Sequence, residues 1–353
     1  MTLIELAEKR WLPDSVIRYG MRRMLRDRLV QERAVAGDNY DLALDRFADR
    51  QRKSLVTIET HRANEQHYEV PSAFFERVLG SRLKYSGGWW QDDSTTLDES
   101  EEAMLRLTCE RAAVQDGMRV LDLGCGWGSL TLWMAEHFPA CQITALSNSR
   151  TQKAHIESVC RQRGFENVKV ITADIGSYES PEVFDRVVSV EMFEHVRNHE
   201  DLLARIAKWL APDGHLFVHI FCHRDLAYTF ETEGEENWMG RHFFSGGIMP
   251  AEVVFLRYHD DMTVQQQWWI PGTHYARTCE AWLARLDASE AEASRILATI
   301  PNADPPRVML QRWRMFFMAC AELFRYQEGN QWGVGHSLFD VHEVAGGARC
   351  AWA

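Results

Sequence analysis

Three side chains able to accept or donate protons lie close together after a run of apolar residues. The segment VVSVEMFEHV, residues 187–196, places Glu191, Glu194 and His195 directly after a predicted buried strand. A charged group in such a place needs a partner, a bound ion or a chemical role. If the chain becomes helical after Val190, the i, i+3, i+4 spacing puts all three on one helix face. The segment therefore predicts an acid–base cluster, with a water-exposed helix cap as the alternative.

A glycine-rich turn lies upstream of this cluster. VLDLGCGWGSL places Asp122 near a strand end and Gly124, Gly126 and Gly128 in the turn that follows. Glycines there allow a tight turn and let the backbone approach a cofactor closely. The run G-C-G-W-G is not the G-x-G-x-x-G of dinucleotide binders, and the second strand, ALSNS, ends without an acidic residue. The turn predicts a cofactor other than NAD, with a purely structural turn as the alternative.

Short strands and helices alternate from about residue 118, and these elements must position the cluster and the turn. The predicted strands are MRVLDLG, CQITALS, VKVITAD, FDRVVSVEMF and GHLFVHIFCH, with helices between them. Such alternation is typical of parallel βαβ units in a doubly wound sheet. DDMTVQQQWWI and WGVGHSLFDVH are predicted as two more strands, separated by a long helical stretch that breaks near IPNADPP.

The segments that flank the alternating strands and helices have a different sequence pattern. Residues 1 to about 65 are predicted to be helical, and a polar, aromatic segment interrupts the alternation from residue 226 to about 256. We therefore predict an α/β fold with a Rossmann-like doubly wound sheet, an N-terminal helical lid and a helical insertion. The predicted boundaries are 1–95 for the lid, 96–225 for the cofactor-binding core, and 226–353 for the substrate-binding insertion with the final strands.

Composition excludes several classes of protein. A net charge of −12 over 353 residues disfavours nucleic acid and anionic lipid as partners. No apolar run approaches the roughly 20 residues that span a bilayer, and none of the eight cysteines forms a C-x-x-C pair. On a strand, His219 and His223 would share a face opposite Cys222, which disfavours a metal site. We expect a cytoplasmic enzyme with no metal, no nucleic-acid partner and no stable membrane association; a homodimer remains open.

The motifs, taken in order along the chain, resemble those of one family. DLGCGWG resembles the first motif of S-adenosylmethionine-dependent methyltransferases, and TADI resembles their adenine-side motif. ANEQHYEVP, RLKYS, LSNSRTQ, EMFEHV, FVHIFCH, GTHYARTCEAW and FFMACAELFRY are similar to the coclaurine-type N-methyltransferases, within the cyclopropane-fatty-acid synthase superfamily. The resemblance implies S-adenosyl-L-methionine as cofactor, S-adenosyl-L-homocysteine as product and a small aromatic amine as substrate.

The resemblance also implies roles for individual residues. Glu191, Glu194 and His195 would face the transferred methyl group, with Glu194 and His195 as the acid–base pair and Glu191 orienting them or touching the cofactor. Aromatic side chains that could enclose a cationic amine are Trp238, Phe243, Phe244, Tyr275 and Trp332, although core packing is the ordinary role of each. The cofactor would be held by Tyr85, Ser86, Asp122, Gly124, Gly126, Gly128, Ser147, Asn148, Gln152, Asp174 and Ile175.

Two alternatives remain open from the sequence. The first is methylation or cyclopropanation of a lipid alkene, for which the resemblance implies a bicarbonate held by a Cys, a Glu, a His, a backbone group and a Tyr. Glu194, His219 and Tyr275 take the Glu, His and Tyr positions, but Gly87 stands at the Cys position, so this site is incomplete. The second is a cofactor-binding protein without catalytic activity, which the acid–base cluster beside the glycine turn disfavours.

Overall fold

A seven-stranded sheet forms the centre of the computed structural model, which describes residues 2–57, 70–234, 237–301 and 303–342. The motif ANEQHYEVP and the end of the first predicted helical region fall largely in residues 58–69, outside the described part of the chain. The seven strands are β1 (Arg119–Leu123), β2 (Gln142–Ser147), β3 (Val168–Thr172), β4 (Phe184–Val190), β5 (Leu210–His223), β8 (Met262–Pro271) and β9 (Trp332–Val341). A separate pair is formed by β6 (Tyr228–Thr229) and β7 (Ile248–Met249).

The strand order is β3-β2-β1-β4-β5-β9-β8. The first five strands pair in parallel, and β9 pairs antiparallel with both β5 and β8. Parallel strands covered on both faces are continuously apolar, and Leu121, Val187 and Val188 are each fully buried. All seven predicted strands and the Rossmann-like sheet are confirmed.

Helices cover the sheet and form both flanking regions. Those before the sheet are α1 (Leu3–Glu8), α2 (Asp14–Ala36), α3 (Tyr40–Arg52), α4 (Ser72–Val78) and α5 (Leu97–Arg111). Those between and after the strands are α6 (Ser129–His137), α7 (Arg150–Arg163), α8 (His199–Trp209), α9 (Trp238–His242), α10 (Gly272–Ala288), α11 (Glu290–Leu297) and α12 (Pro306–Arg325). Thr96 begins α5 with a capping box to Glu99, which satisfies backbone N–H groups that the first helical turn leaves unpaired.

The N-terminal helix α2 docks on the helices of the C-terminal region. Arg314 of α12 is buried and binds Asp14 and Asp287 through oxygen–nitrogen contacts of 2.6 Å each. Arg18 of α2 reaches Glu280 and Glu322 at 2.7 and 3.0 Å. A buried guanidinium with both forks occupied is a geometrically specific contact, so these pairs fix how the N-terminal helices lie over the sheet.

Candidate active site

A cavity of about 780 Å³, counting the space open to solvent, lies at the carboxyl ends of β1, β2, β3 and β4, where open α/β sheets bind ligands. Among the described residues, those of the predicted site that line it are Gly124, Gly126, Ser147, Asn148, Gln152, Asp174, Ile175, Glu191 and His195. Residues up to 71 positions apart in sequence, from four different strand ends, therefore meet in one place.

The first glycine of the turn has to be glycine for two reasons. Gly124 has φ of +86°, a left-handed conformation that other residues adopt at a cost. A Cβ atom on it would lie 2.6 Å from Cγ of Met192, which lines the same cavity. The backbone at Gly124 thus lies directly against Met192, which follows β4, and the cavity that both residues line leaves room for a ligand.

The polar groups after β2 are held by one another. Ser147 donates its hydroxyl hydrogen to Oε1 of Gln152 over 2.6 Å, and its oxygen accepts the N–H of Ser149 at 3.0 Å. Ser149 in turn caps α7 by accepting the N–H of Gln152. This leaves the Gln152 amide nitrogen and the Asn148 side chain on the cavity wall, where they suit the polar parts of a cofactor.

Four predicted cofactor residues lie near this wall but do not line the cavity within the described chain. Asp122 is buried and accepts the Thr131 hydroxyl at 2.6 Å, and burial raises its pKa to about 6. Tyr85 packs its ring against Phe75 and Trp282, with centroids 5.2 and 5.5 Å away. The other two are Ser86, which accepts from Lys84, and Gly128, the residue before α6.

Glu191 has a left-handed backbone conformation, and its carboxylate accepts hydrogen bonds from three groups. Its φ is +48°, and its N–H donates to the carbonyl of His219 at 2.8 Å. Its Oε2 accepts the Tyr275 hydroxyl at 2.6 Å. Its Oε1 accepts Nε2–H of His219 at 3.3 Å and the N–H of Gly87 at 3.4 Å. The carboxylate is therefore fixed in the cavity wall by groups from three separate segments.

Burial favours the neutral form of the Glu191 carboxyl group, whereas the buried cation Lys84 favours its ionised form. Burial raises the pKa of Glu191 to about 7, against the opposing effects of Lys84 and of the Tyr275 hydrogen bond. Lys84 donates to the carbonyl of Gly87 at 2.8 Å, and burial lowers its own pKa to about 8. A carboxyl group with a pKa near neutrality is suited to accept and release a proton.

Glu194 differs from the predictions made for it. The chain forms a 3₁₀ turn over Phe193–His195 rather than an α-helix after Val190, so the three groups do not share one helix face. Glu194 is fully buried, its Oε1 accepts the N–H of Phe221 at 2.6 Å, and within the described residues its Oε2 has no hydrogen-bond partner. Burial, reinforced by the nearby Glu191 charge, raises its pKa well above the usual range.

The grouping expected from the resemblance is also different. His219 and Tyr275 bind Glu191 and not Glu194, because the left-handed backbone at position 191 directs that side chain between them. The donors of His219, Tyr275 and the Gly87 backbone therefore converge on a carboxylate supplied by the chain itself.

His195 lies on the cavity wall opposite an aromatic surface that the sequence predicted only in part. Its ring centroid is 4.6 Å from that of Phe244, which also contacts Phe221 and Phe230 at 5.3 and 4.9 Å. Tyr275 stacks on Phe324 at 4.2 Å. We call these residues the aromatic wall: Phe221, Phe230, Phe244, Tyr275 and Phe324. Strand alternation could have found Phe221, two positions after His219 on β5, whereas Phe230 and Phe324 come from distant segments.

Three of the aromatic residues predicted to contact an amine are buried in the hydrophobic core. Phe243 stacks on Phe316 at 4.3 Å. Trp238 donates its indole N–H to Glu8 at 2.8 Å, and Trp332 donates to the Tyr228 hydroxyl at 3.1 Å. None of the three lines the cavity in the described part of the chain. Their large buried rings build the hydrophobic support beneath the site. Phe244 and Tyr275 do not line the cavity either, but they contact the lining residues His195 and Glu191.

Two other kinds of feature are absent from the part of the chain that the structure describes. No cluster of three or more His, Cys, Asp or Glu side chains has a geometry that could hold a metal ion there. No described helix combines the length and the apolar character needed to cross a membrane.

Comparison with known proteins places the chain in a family. The family described as mycolic acid cyclopropane synthetase matches residues 56–332. The chain is 42% identical over 294 residues to (S)-coclaurine N-methyltransferase of Thalictrum flavum subsp. glaucum, covering 82% of this chain and 81% of that one. A crystal structure of coclaurine N-methyltransferase bound to N-methylheliamine and SAH superposes with a TM-score of 0.92 at 37% identity, covering 96% and 98% of the two chains.

A more distant structural relative shares the same fold. A cyclopropane synthase from Mycobacterium tuberculosis superposes with a TM-score of 0.69 at 25% identity, covering 81% of this chain and 99% of that one. The family match over residues 56–332 spans the strand ends that line the cavity. The chain belongs to the cyclopropane synthetase family of S-adenosylmethionine-dependent methyltransferases, on the branch that contains the coclaurine N-methyltransferases.

Proposed function

We propose that this enzyme transfers a methyl group from S-adenosylmethionine to the nitrogen of a small aromatic amine of the tetrahydroisoquinoline or phenethylamine type. The observation that carries the proposal is the position of Glu191, between the cofactor-side residues and the aromatic wall. A carboxylate attracts an ammonium group, and aromatic faces stabilise a cation further. The N-methyltransferases named above, with 42% and 37% identity, support the same chemistry.

The cofactor has residues suited to hold it. Gly124 and Gly126 provide close backbone approach, Ser147, Asn148 and Gln152 provide polar contacts, and Asp174 and Ile175 border the far end of the cavity. When bound, S-adenosylmethionine supplies an electrophilic methyl group. The chain's own contribution is mainly positioning, because a displacement at a methyl carbon requires the nucleophile, the carbon and the leaving group in line.

Glu191 and His195 are the groups that can handle the amine proton. An ammonium nitrogen has no lone pair, so it has to lose a proton before it attacks. Glu191 would bind the ammonium through the lone pairs that Tyr275 and His219 leave free, and would accept its proton. His195, on the same cavity wall, would pass that proton toward solvent. In this proposal Glu194 supports the wall from behind through its bond to Phe221.

The lipid alternative is weaker on geometry. Two of the side chains that would hold a bicarbonate, His219 and Tyr275, already bind Glu191. A net charge of −12 also opposes docking to an anionic bilayer.

The test is a methyl-transfer screen over tetrahydroisoquinolines, phenethylamines and unsaturated phospholipids, with wild type and Glu191→Gln. We expect methylation of at least one aromatic amine and a fall in kcat of about 10² to 10⁴ in the variant, the usual contribution of a general base. Glu252→Gln is the matched control, because Glu252 pairs with Arg224 at 2.9 Å and does not line the cavity. Methylation of lipid alone would overturn the amine proposal, and absence of any turnover would favour a binding protein.

A further inference from the structure

A hydrogen-bonded chain of buried side chains runs from Glu191 across the sheet to the end of α5. His219 and His336 are paired directly across β5 and β9, and both are fully buried. Nδ1 of His219 lies 2.8 Å from Nε2 of His336, and Nδ1 of His336 lies 2.8 Å from a guanidinium nitrogen of Arg111. The other end, Nε2 of His219, lies 3.3 Å from Oε1 of Glu191.

The arginine determines where every proton in this chain lies. A guanidinium has only donors, so Nδ1 of His336 must accept and the ring proton of His336 is on Nε2. That N–H points at Nδ1 of His219, which must therefore accept, and the ring proton of His219 is on its own Nε2. Both imidazoles are then neutral, and His219 can present only a donor to Glu191. Burial, together with the Arg111 and Lys84 charges, lowers the pKa of both rings well below the usual range, in agreement with this assignment.

Arg111 itself is held in place by the neighbouring strand. Its guanidinium carbon lies 4.8 Å from the ring centroid of Trp268, and Trp268 is the β8 residue paired with His336. A cation on an aromatic face is stabilised there, and the planar guanidinium keeps one N–H directed at the imidazole. The series of hydrogen bonds therefore ends on the Arg111 guanidinium, which cannot give up its proton.

We propose that Arg111, His336 and His219 form a positioning chain that locks both imidazoles in their Nε2–H tautomers and keeps Glu191 supplied with a permanent donor. This rests on the proposed function, in which Glu191 binds and deprotonates the amine. A carboxylate with such a donor favours its ionised form, and the proton that it takes from the amine cannot pass to His219. The proton leaves only through the cavity, on the side of His195.

Other charged or titratable groups also face Glu191, and the test has to separate their effects. They are Lys84, Tyr275 and Cys279 of α10, and Glu194 and His195 on its own turn, while Glu101 acts on Lys84. None of them contacts Arg111 or His336 through a hydrogen bond in the described chain. A change at Arg111 therefore acts on Glu191 through the two imidazoles and through its own charge.

The first experiment reads the tautomers directly. Long-range ¹H–¹⁵N spectra of protein labelled at histidine are recorded for wild type, Arg111→Met and Arg111→Lys between about pH 5 and pH 9, the range in which an ordinary histidine titrates. We expect His219 and His336 to be single Nε2–H tautomers that do not titrate in wild type and in Arg111→Lys, which keeps a donor-only cation. In Arg111→Met we expect mixed tautomers or titration. An Nδ1–H tautomer for either ring in wild type, or an unchanged Arg111→Met spectrum, overturns the proposal.

The second experiment measures the consequence for catalysis with the amine found in the screen. In Arg111→Met the acid limb of kcat/KM should move to higher pH and kcat/KM at pH 7 should fall about tenfold or more, as expected when a hydrogen bond to a charged group is lost. Calorimetric affinity for S-adenosylhomocysteine should be unchanged, which shows that the variant is folded. Arg106→Met is the matched control, because Arg106 is an exposed arginine of the same helix whose ion pair, to Glu110, is at 3.8 Å.

The two proposals fail in different ways. If the tautomers are as expected but no amine is methylated, the proposed function is refuted and the positioning chain still stands. Turnover with an acid limb that Arg111→Met does not move refutes the positioning chain alone.

Discussion

Removal of one hydroxyl group, in Tyr275→Phe, tests whether hydrogen bonding sets the proton affinity of Glu191. The Tyr275 oxygen lies 2.6 Å from Oε2 of Glu191, and its ring stacks on Phe324 at 4.2 Å. Phenylalanine keeps the ring and its stacking, so the change removes a donor and little else. A hydrogen bond to a charged group is worth about 1.5 to 3 kcal/mol, and one pKa unit corresponds to about 1.4 kcal/mol. The pKa of Glu191, about 7 in the intact site, should therefore rise by about one to two units.

The direction of the pH effect follows from the form that is active. The carboxylate is required, so activity is lost as pH falls through the pKa of Glu191, and a higher pKa moves this loss to higher pH. At pH 7 the ionised fraction falls from about one half to between about a tenth and a hundredth, so kcat/KM should fall about 5- to 50-fold. Most of the loss should be recovered about two units higher in pH.

The assay is the pH dependence of kcat/KM for the amine, with cofactor affinity measured by calorimetry at each pH. Tyr258→Phe is the control, because Tyr258 is a buried tyrosine whose hydroxyl has no hydrogen-bond partner within the described residues. Its acid limb should coincide with that of wild type. A Tyr275→Phe profile that falls equally at every pH, with an unmoved acid limb, would refute the role of this hydrogen bond in setting the pKa.

Three further predictions concern the cavity wall. Gly124→Ala should weaken cofactor binding about tenfold or more in calorimetry, because its Cβ would meet Met192 at 2.6 Å. Gly117→Ala is the control: its φ is +89° but no atom lies within 4 Å of the added Cβ, so it should lose stability and keep the affinity for the cofactor. Glu194→Gln should make Tm less sensitive to pH above about 4.3, the ordinary pKa of an unfolded glutamate. Burial raises the pKa of Glu194 in the folded protein, so wild type loses stability as pH rises from that ordinary value through the raised one, and parallel melting curves would contradict this. His195→Ala should lower kcat about 10²-fold with cofactor affinity within about threefold of wild type, and a large loss of affinity would assign it a structural role.

The elements of the fold could be predicted because their signals are local. Apolar runs bounded by glycine and polar residues predicted every strand of the sheet. Gly124, Ser147, Asp174 and Glu191, which the resemblance named as site residues, lie at four strand ends and line one cavity.

The parts of the site that were wrong or missed depend on contacts between distant segments. The 3₁₀ turn after β4 and the left-handed Glu191 are held by a backbone bond to His219, 28 residues later, which no local periodicity encodes. His336 joins the site only because β9 returns beside β5, 117 residues beyond His219. The burial of Trp238 and Trp332 likewise depends on helices that pack from both ends of the chain.

The convergence of three donors on Glu191 has a consequence for what the site needs from solution. His219, Tyr275 and the Gly87 backbone form a small receptor for an anion, and the chain fills it with a tethered side chain of its own. A tethered carboxylate is present at very high effective concentration, so occupancy does not depend on any dissolved anion. Glu191→Gly would relieve the φ of +48° and empty the receptor. We expect this variant to regain activity when formate or bicarbonate is added, and its rate to saturate with the concentration of that anion. Its activity would then depend on a dissolved anion, whereas that of the wild-type enzyme does not.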